Sequence, residues 1–262
     1  MGCGRVTPAG VDVRRGEVWQ VRLERPARAN ALSAALVEDL LELLAEAERA
    51  RPAALVLRGN ARHFAAGFDL DGLAGESDGS LALRFLRVGG LLERVATLPC
   101  LTVAAVEGTA VGAGADLVAA CDERLGATTA RFRFPGAGFG VVLGTARLAA
   151  LVGPAAAAYA TGESVTAAEA HRSGLLTRAP VPPDLLDDQV EQVLQRWGRV
   201  HPTARAEVLA QARPPVAYDA ALGALARSVA EPGLHDRVTA FAARTRPAAA
   251  AAHAAPDHQM TS

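Results

Sequence analysis

The chain has 262 residues, 50% of them apolar, and a formal net charge of −1; this length and composition suit one large globular domain with a sizeable core. Lysine is absent, which excludes a nucleotide-binding P-loop, because that loop requires one. There is no basic stripe with interleaved aromatic residues and no run of about 18 apolar residues, so neither nucleic acid nor a membrane is expected as a partner.

The three cysteines, Cys3, Cys100 and Cys121, are odd in number and widely spaced, which argues against a disulfide framework and against a zinc site. No metal is therefore expected, and this cysteine usage predicts a cytoplasmic protein. The first ten residues contain no apolar segment, so we expect no signal peptide and assign residues 1–10 to an N-terminal tail.

Strands and helices alternate over the first hundred residues. The alternation of apolar residues from Val11 to Leu23 predicts a β-hairpin, and Ser33 is a suitable N-cap for a helix. The pattern then predicts a helix at 34–49, a strand at 53–57, a loop at 59–79 and a helix at 81–98. Loops as long as the one at 59–79 are usually functional in a compact domain.

The stretch from residue 101 to residue 122 carries the strongest functional signal. Residues 101–106 predict a buried strand, and glycines at 108, 112 and 114 lead from it into an apolar helix that carries Asp116. The N-terminus of a helix leaves backbone N–H groups without partners. Leu117 stands where a dinucleotide-binding fingerprint needs its third glycine, which excludes that motif. On its own, the turn favours a plain strand-to-helix connection over a functional site.

The remainder predicts two short strands, at 123–127 and 130–134, a second glycine-rich loop at 135–145, and helices from 146 to about residue 246. We therefore predict an α/β core at residues 11–195 and a helical region at 196–247, which has no core of its own and packs on the first part or on a neighbouring subunit. Residues 248–262 show no periodicity and predict a disordered tail.

Two glycine-containing bends can act together. The segment Ala66–Gly67–Phe68 follows the strand at 53–57, and Gly112–Ala113 follows the strand at 101–106. If the two bends meet, their backbone N–H groups can both donate to one carbonyl oxygen, which is the geometry of an oxyanion hole. Each such donor stabilises a transition state by roughly 3 kcal/mol.

Six segments, in this order, resemble the enoyl-CoA hydratase/isomerase, or crotonase, superfamily, and the resemblance spans about residues 11–247. They are RPARANALS, HFAAGFDL, AAVEGTAVGAGADLVAACD, FRFPGAGFGVVLGTARLAALVG, ATGESVTAAEAHRSGLLTR and FAARTRP. The resemblance implies a crotonase-like fold, a repeated ββα spiral core followed by a C-terminal helical trimerisation region. It also implies a homotrimer or a dimer of trimers, and a place in fatty acid metabolism.

The same resemblance implies an acyl-CoA thioester as ligand, with coenzyme A arriving as part of the substrate and no permanently bound cofactor. The thioester oxygen would lie between the N–H groups of Phe68 and Ala113, and the Phe68 ring would narrow the acyl pocket. Further contacts to substrate are implied for Arg28, Ala29, Ala31, Ala66, Asp69, Leu70, Gly112, Gly136, Phe241 and Arg244.

The carboxylates decide which reaction is expected. Hydratases of this superfamily use two glutamates, and here Asp116 stands at the first position and Gly136 at the second, in a loop about three residues shorter than usual. This departure argues against two-glutamate hydration and favours a lyase or isomerase with one carboxylate: double-bond isomerisation, decarboxylation, retro-aldol or hydrolytic C–C cleavage. The alternatives are a non-catalytic acyl-CoA-binding or scaffolding protein, and an unrelated anion-binding α/β protein.

Other polar residues carry weaker signals. Asp69 is expected to cap the next helix and Asp122 to anchor a turn, whereas Asp71 and Glu76 could reach the pocket if their loop closes. His63 is expected to be solvated, and Ser164 has no predicted catalytic partner. Four arginines are either ligands of the CoA phosphates or simply exposed surface residues, and the sequence does not choose between these: Arg25, Arg28, Arg244 and Arg246.

Overall fold

A computed structural model describes residues 5–245 of the chain. Within this range the chain forms two β-sheets surrounded by α-helices, which confirms the α/β class. The strands are β1 (Arg5–Val6), β2 (Val11–Arg14), β3 (Val18–Leu23), β4 (Ala54–Arg58), β5 (His63–Ala65), β6 (Leu101–Val106), β7 (Thr109–Val111), β8 (Glu123–Gly126), β9 (Arg131–Arg133) and β10 (Val165–Thr166). The helices are α1 (Ala34–Ala50), α2 (Asp78–Thr97), α3 (Ala113–Ala120), α4 (Thr145–Val152), α5 (Ala155–Tyr159), α6 (Ala167–Arg172), α7 (Leu186–Trp197), α8 (Arg205–Ala212), α9 (Tyr218–Ala230) and α10 (Leu234–Thr245).

The larger sheet has the strand order β1-β2-β3-β4-β6-β8. Strands β1 to β3 are antiparallel, which confirms the predicted hairpin, and β3, β4, β6 and β8 run parallel. All six residues of β6 are buried, as expected of a parallel strand covered on both faces. Strand β1 lies within residues that the sequence assigned to an N-terminal tail.

The smaller sheet has the order β10-β9-β7-β5, and its strands β5, β7 and β9 are parallel. Strands β5 and β7 lie inside segments predicted as a loop and a turn. Each is three residues long, too short for a two-residue alternation to be recognised, and each forms only by pairing with a distant segment. Because parallel strands end at the same sheet edge, the turns that follow β5 and β7 lie side by side.

The two long helices begin at capping residues. The Ser33 side chain accepts a hydrogen bond from the N–H of Leu36, which confirms the predicted N-cap of α1. Ser77 caps α2 and forms a reciprocal capping box with Ser80. The cap of α2 is therefore Ser77, and the expectation that Asp69 serves as a helix cap is wrong.

The C-terminal helices pack on the core of the same chain. Helix α9 lies along α2, α10 contacts α2 and a turn at Pro135–Phe139, and α7 packs against β6 and β8. Leu225, Val229 and Val238 share a hydrophobic cluster with Leu81 and Phe85 of α2. The predicted domain boundary at residue 195 falls inside α7. The tail predicted to be disordered, residues 248–262, lies outside the described residues.

The cysteines and the lengths of the helices bear on two further expectations from the sequence. Cys100 and Cys121 are buried free thiols, and burial raises the pKa of each to about 12. Between residues 5 and 245, no helix combines the length and the apolar character needed to cross a bilayer.

Candidate active site

The turns that follow β5 and β7 are in direct contact. Gly67 has φ +87° and Gly112 has φ +52° with ψ −126°, conformations that favour glycine strongly. A side-chain carbon placed on Gly67 would lie 3.2 Å from the backbone nitrogen of Ala113 and 2.5 Å from the carbonyl oxygen of Val111. Glycine at position 67 therefore allows the two turns to approach each other.

Two backbone N–H groups at this contact have no acceptor among residues 5–245: those of Phe68 and Ala113. The flanking amides are occupied, since Gly112 donates to the carbonyl of Arg133 and Asp69 donates to that of Leu32. Ala113 is the first residue of α3, so its N–H also lies at the positive end of that helix dipole. An anionic or strongly polarised oxygen is the kind of acceptor that such N–H groups bind.

Phe68 and Ala113 border a cavity of ≈ 260 Å³. Its walls are mostly aliphatic and aromatic, and they come from α2, α3, α4, α5, α10 and the glycine-rich loop that follows β9. The apolar wall residues include Leu70, Phe85, Val111, Phe134, Phe139, Val141, Leu143, Leu148, Ala156 and Phe241. Such a lining suits an apolar ligand that presents one polar group to the two amides.

Asp116 reaches the same cavity from the first turn of α3. The residue is 6% exposed, and its carboxyl has no hydrogen-bond or ionic partner within the described part of the chain. Burial in these surroundings raises the pKa of Asp116 well above the usual value of an aspartate. Gly144 packs so closely that a side-chain carbon there would lie 2.1 Å from Oδ1 of Asp116. A buried carboxyl of this kind is a candidate proton donor or acceptor.

The glycine-rich loop after β9 offers no second acid to the cavity. Pro135 and Gly136 line the cavity there, and among its described lining residues Asp116 alone carries a carboxyl. Nor do residues 5–245 contain a group of three or more His, Cys, Asp or Glu side chains placed to hold a metal ion. The cavity therefore combines two free amide donors with one acid.

The structure brings most of the predicted site residues together. Those that line the cavity are Ala66, Phe68, Leu70, Gly112, Ala113, Asp116, Gly136 and Phe241. Ala29 lies one hydrogen bond away, because its carbonyl accepts from the N–H of Ala66. Ala31 is a buried neighbour in the same segment, and its carbonyl accepts from the Arg25 guanidinium.

The charged candidates lie outside the cavity lining. Arg28 forms an exposed ion pair with Asp71 at 2.8 Å, and Arg244 is exposed near the end of α10. Arg25 is paired with Asp69 at 3.1 Å, and both side chains are largely buried. Arg25 is therefore not a merely exposed side chain, its guanidinium is engaged inside the fold, and Asp69 is its internal partner. Arg246 lies outside the described residues.

The remaining polar candidates are held by other groups. Glu76 pairs with Arg84 at 2.7 Å, and His63 Nδ1 lies 2.9 Å from the hydroxyl of Thr109. Asp122 accepts from the N–H and the hydroxyl of Thr102, as expected of a turn anchor, and it also pairs with Arg213 at 2.8 Å. None of these three side chains, Glu76, His63 and Asp122, lines the cavity.

Three phenylalanines of the cavity wall were not predicted from the sequence: Phe85, Phe134 and Phe139. Phe85 comes from α2, whereas Phe134 follows β9 directly and Phe139 lies in the adjoining glycine-rich loop, so the wall joins two segments that are far apart along the chain. Phe139 packs against Phe241 of α10 with ring centres 4.7 Å apart. A phenylalanine within a glycine-rich loop is the one local signal that could have indicated this wall.

Comparison with known proteins gives consistent matches over most of the chain. The family model for enoyl-CoA hydratase/isomerase matches residues 14–226. The 2,3-dehydroadipyl-CoA hydratase of Escherichia coli is 36% identical over 197 residues, which span 73% of this chain and 76% of that protein.

Solved structures agree with these sequence matches. A crystal structure from Bordetella parapertussis, described as an enoyl-CoA hydratase/isomerase, superposes with a TM-score of 0.84 at 36% identity, over 90% of this chain and 99% of that one. An enoyl-CoA hydratase from Mycobacterium smegmatis gives a TM-score of 0.72 at 29% identity, over 92% and 98% of the two chains. The chain, with the crotonase-like fold that its sequence predicts, belongs to the enoyl-CoA hydratase/isomerase family.

Proposed function

We propose that this protein is an acyl-CoA enzyme that polarises a thioester carbonyl with the N–H groups of Phe68 and Ala113 and moves a proton with Asp116. The observation that carries the proposal is that both unpartnered amides and an unpartnered buried carboxyl border one apolar cavity. Oxyanion donors stabilise an enolate more than the starting thioester, because negative charge develops on the oxygen they contact.

The proposed chemistry needs one carboxyl. With the thioester oxygen between the two amides, a C–H bond close to the carbonyl becomes acidic, and the ionised form of Asp116 accepts that proton to leave an enolate. Return of the same proton to a different carbon completes a double-bond isomerisation. The raised pKa of Asp116 makes its carboxylate a stronger base than an exposed aspartate.

We infer that the substrate is an unsaturated or β-substituted acyl-CoA. The family membership supports a CoA thioester, and the E. coli relative is named for an enoyl-CoA substrate. The apolar walls favour an acyl chain without charge near the carbonyl. Gly136, which offers no second acid or base, makes isomerase or lyase chemistry the better fit than two-carboxylate hydration.

A second candidate function is acyl-CoA binding without turnover. Gly136 at the position of the second catalytic carboxylate is the observation that favours it. The two functions differ in whether Asp116 matters: a binding protein needs the amide donors and the apolar cavity, whereas an enzyme also needs the carboxyl.

Turnover of an acyl-CoA panel tests both candidates. The panel contains crotonyl-CoA, a 3-enoyl-CoA, a 2,4-dienoyl-CoA and malonyl-CoA, and the proteins are wild type, Asp116→Asn and the control Asp188→Asn, at an exposed position of α7 away from the cavity lining. We expect turnover of at least one substrate by wild type and by the control and its loss in Asp116→Asn. Binding without turnover favours the second function, and absence of both turnover and binding contradicts the acyl-CoA proposal.

We also infer a homotrimer or a dimer of trimers, as the family resemblance implies, and a cytoplasmic location, which the cysteine usage favours. Sedimentation equilibrium measures the assembly directly, and a monomer at micromolar concentration would contradict it.

A further inference from the structure

The Phe68 ring is held between two side chains of α2. The rings of Phe68 and Phe85 stack with centres 4.1 Å apart and planes 14° apart. The Arg84 guanidinium carbon lies 4.3 Å from the centre of the Phe68 ring. Two planar groups cannot both stack at that distance on one face, so Arg84 and Phe85 lie on opposite faces of the ring.

Arg84 makes two more contacts to the segment that follows Phe68. Its Nη2 donates to the backbone carbonyl of Asp69 at 2.8 Å, and its Nη1 donates to Oε1 of Glu76 at 2.7 Å. The side chains of Arg84 and Glu76 are only 14% and 21% exposed, so water weakens this ion pair less than one at the surface. One guanidinium thus joins three points of the 68–76 segment to α2.

The amide of Phe68 needs such support. Its N–H belongs to the peptide that joins it to Gly67, and glycine restrains that peptide less than any other residue. Leu32 holds one edge of the segment, since its N–H donates to the Gly67 carbonyl and its own carbonyl accepts from the N–H of Asp69. Because the Gly67 carbonyl belongs to the same planar peptide as the Phe68 N–H, the bond from Leu32 anchors one side of that peptide. Rotation about this bond is limited further by whatever holds the Phe68 side chain and the following backbone, and Arg84 contacts the Phe68 ring and the Asp69 carbonyl.

We propose that Arg84 is a positioning residue that, together with the Leu32 backbone, fixes the direction of the Phe68 N–H, acting through the stacked ring and the Asp69 carbonyl. This inference rests on the proposed function, because it assigns a role to the Phe68 donor. The proposal also gives the large Phe68 side chain a role at this turn. Helix α2 contacts the Phe68 ring, and through the ring it holds the Phe68 N–H in place.

A merely structural Arg84 would behave differently. In that case its removal would lower stability but leave the kinetics of the folded enzyme unchanged. A positioning residue acts on the developing oxyanion, and its loss lowers kcat with little change in KM. A donor displaced by about 1 Å can cost up to about a hundredfold in rate.

The test compares Arg84→Met with Arg87→Met in the full-length protein. Both arginines are on α2 and both form an ion pair, but Arg87 pairs with Glu38 at the surface. We expect Arg84→Met to lower kcat by about ten- to a hundredfold with KM within threefold of wild type. Arg87→Met should match wild type. Arg84→Lys, which keeps the charge but lacks the planar fork, should fall between the two and remain measurable if Arg84→Met does not fold.

A spectroscopic readout does not depend on turnover. The ¹³C resonance of a carbonyl-labelled, unreactive saturated acyl-CoA should move downfield on binding to wild type, and the movement should be smaller in Arg84→Met than in Arg87→Met. Equal kcat and equal carbonyl shifts in the two variants would overturn the role of Arg84 and leave the proposed function intact. A wild-type carbonyl that does not shift on binding would overturn both.

Discussion

The two ends of α3 each carry an aspartate, and the two carboxyls have opposite surroundings. Asp116, in the first turn, is buried beside a cavity and has no partner among the described residues. Asp122, just past the last turn, is held by both nitrogens of the Arg213 fork at 2.8 and 2.9 Å and by Thr102. The side chains are similarly inaccessible, so burial alone does not distinguish the two.

The difference separates a carboxyl that is free to exchange a proton from one that is committed to the fold. Burial without a partner favours the neutral form of Asp116, whereas the guanidinium of Arg213 compensates the buried charge of Asp122. Ordinary folding stability would select a partner for Asp116 as well. Asp116 nevertheless has no partner, and it lies at the same end of α3 as the free Ala113 amide. This is the strongest reason to assign chemistry to this end of the helix.

Asp116→Asn should give the largest effect. The amide is nearly isosteric and cannot accept the proton, so we expect a loss of about 10²–10⁴ in kcat on the best acyl-CoA substrate. Steady-state kinetics measure this, with the binding of an unreactive acyl-CoA as the control that the cavity is intact. A variant with more than a tenth of wild-type kcat would remove Asp116 from the mechanism.

Gly112→Ala should lower kcat by about 10²–10³, because the left-handed backbone at this position aims the Ala113 N–H and alanine does not adopt it without strain. Gly90→Ala is the control: Gly90 lies within α2, and a side-chain carbon there meets nothing within 4 Å. We expect the control to retain full activity and to gain up to about 1 kcal/mol of stability. Equal rates in the two variants would contradict a role for the Ala113 amide.

Arg213→Met should destabilise the fold by about 3 kcal/mol, because it leaves the Asp122 charge buried without its guanidinium. Urea denaturation measures the free energy of unfolding. Arg94→Met, which breaks an exposed pair with Glu48 at 3.4 Å, should cost less than about 1 kcal/mol. The kcat of the folded Arg213→Met enzyme should stay within about threefold of wild type. A larger loss would contradict the assignment of a purely structural role to Asp122.

The smallest expected effect is a change in how the free energy of unfolding depends on pH. Because the folded-state pKa of Asp116 is raised, the protonated carboxyl stabilises the fold fully below about pH 4, and that contribution is lost as pH rises through the raised value. Asp116→Asn lacks this ionisation, so we expect it to be as stable as wild type in acid and more stable by roughly 0.5–2 kcal/mol at high pH. Urea titrations across pH test this, and a constant difference between the proteins would contradict the raised pKa.

Local patterns in the sequence were sufficient for the regular elements. The residues 101–106 predicted as a strand are those of β6, and the predicted Ser33 cap opens α1. Both depend on the order of apolar residues and on a single capping side chain, which act within a few residues. The meeting of Phe68 with Ala113 also followed from sequence, but only through the resemblance to a family.

Long-range contacts decided the rest. Strands β5, β7 and β10 have two or three residues each and exist only as partners of one another and of β9. The sequence shows that Arg25, Asp69, Asp116 and Arg213 are ionisable, but which of them are paired depends on segments up to 91 residues apart. The sequence by itself determined the family, the helices and the chemical groups present. Only the tertiary structure decided which carboxyl lacks a partner, because burial and charge compensation are properties of neighbours in space.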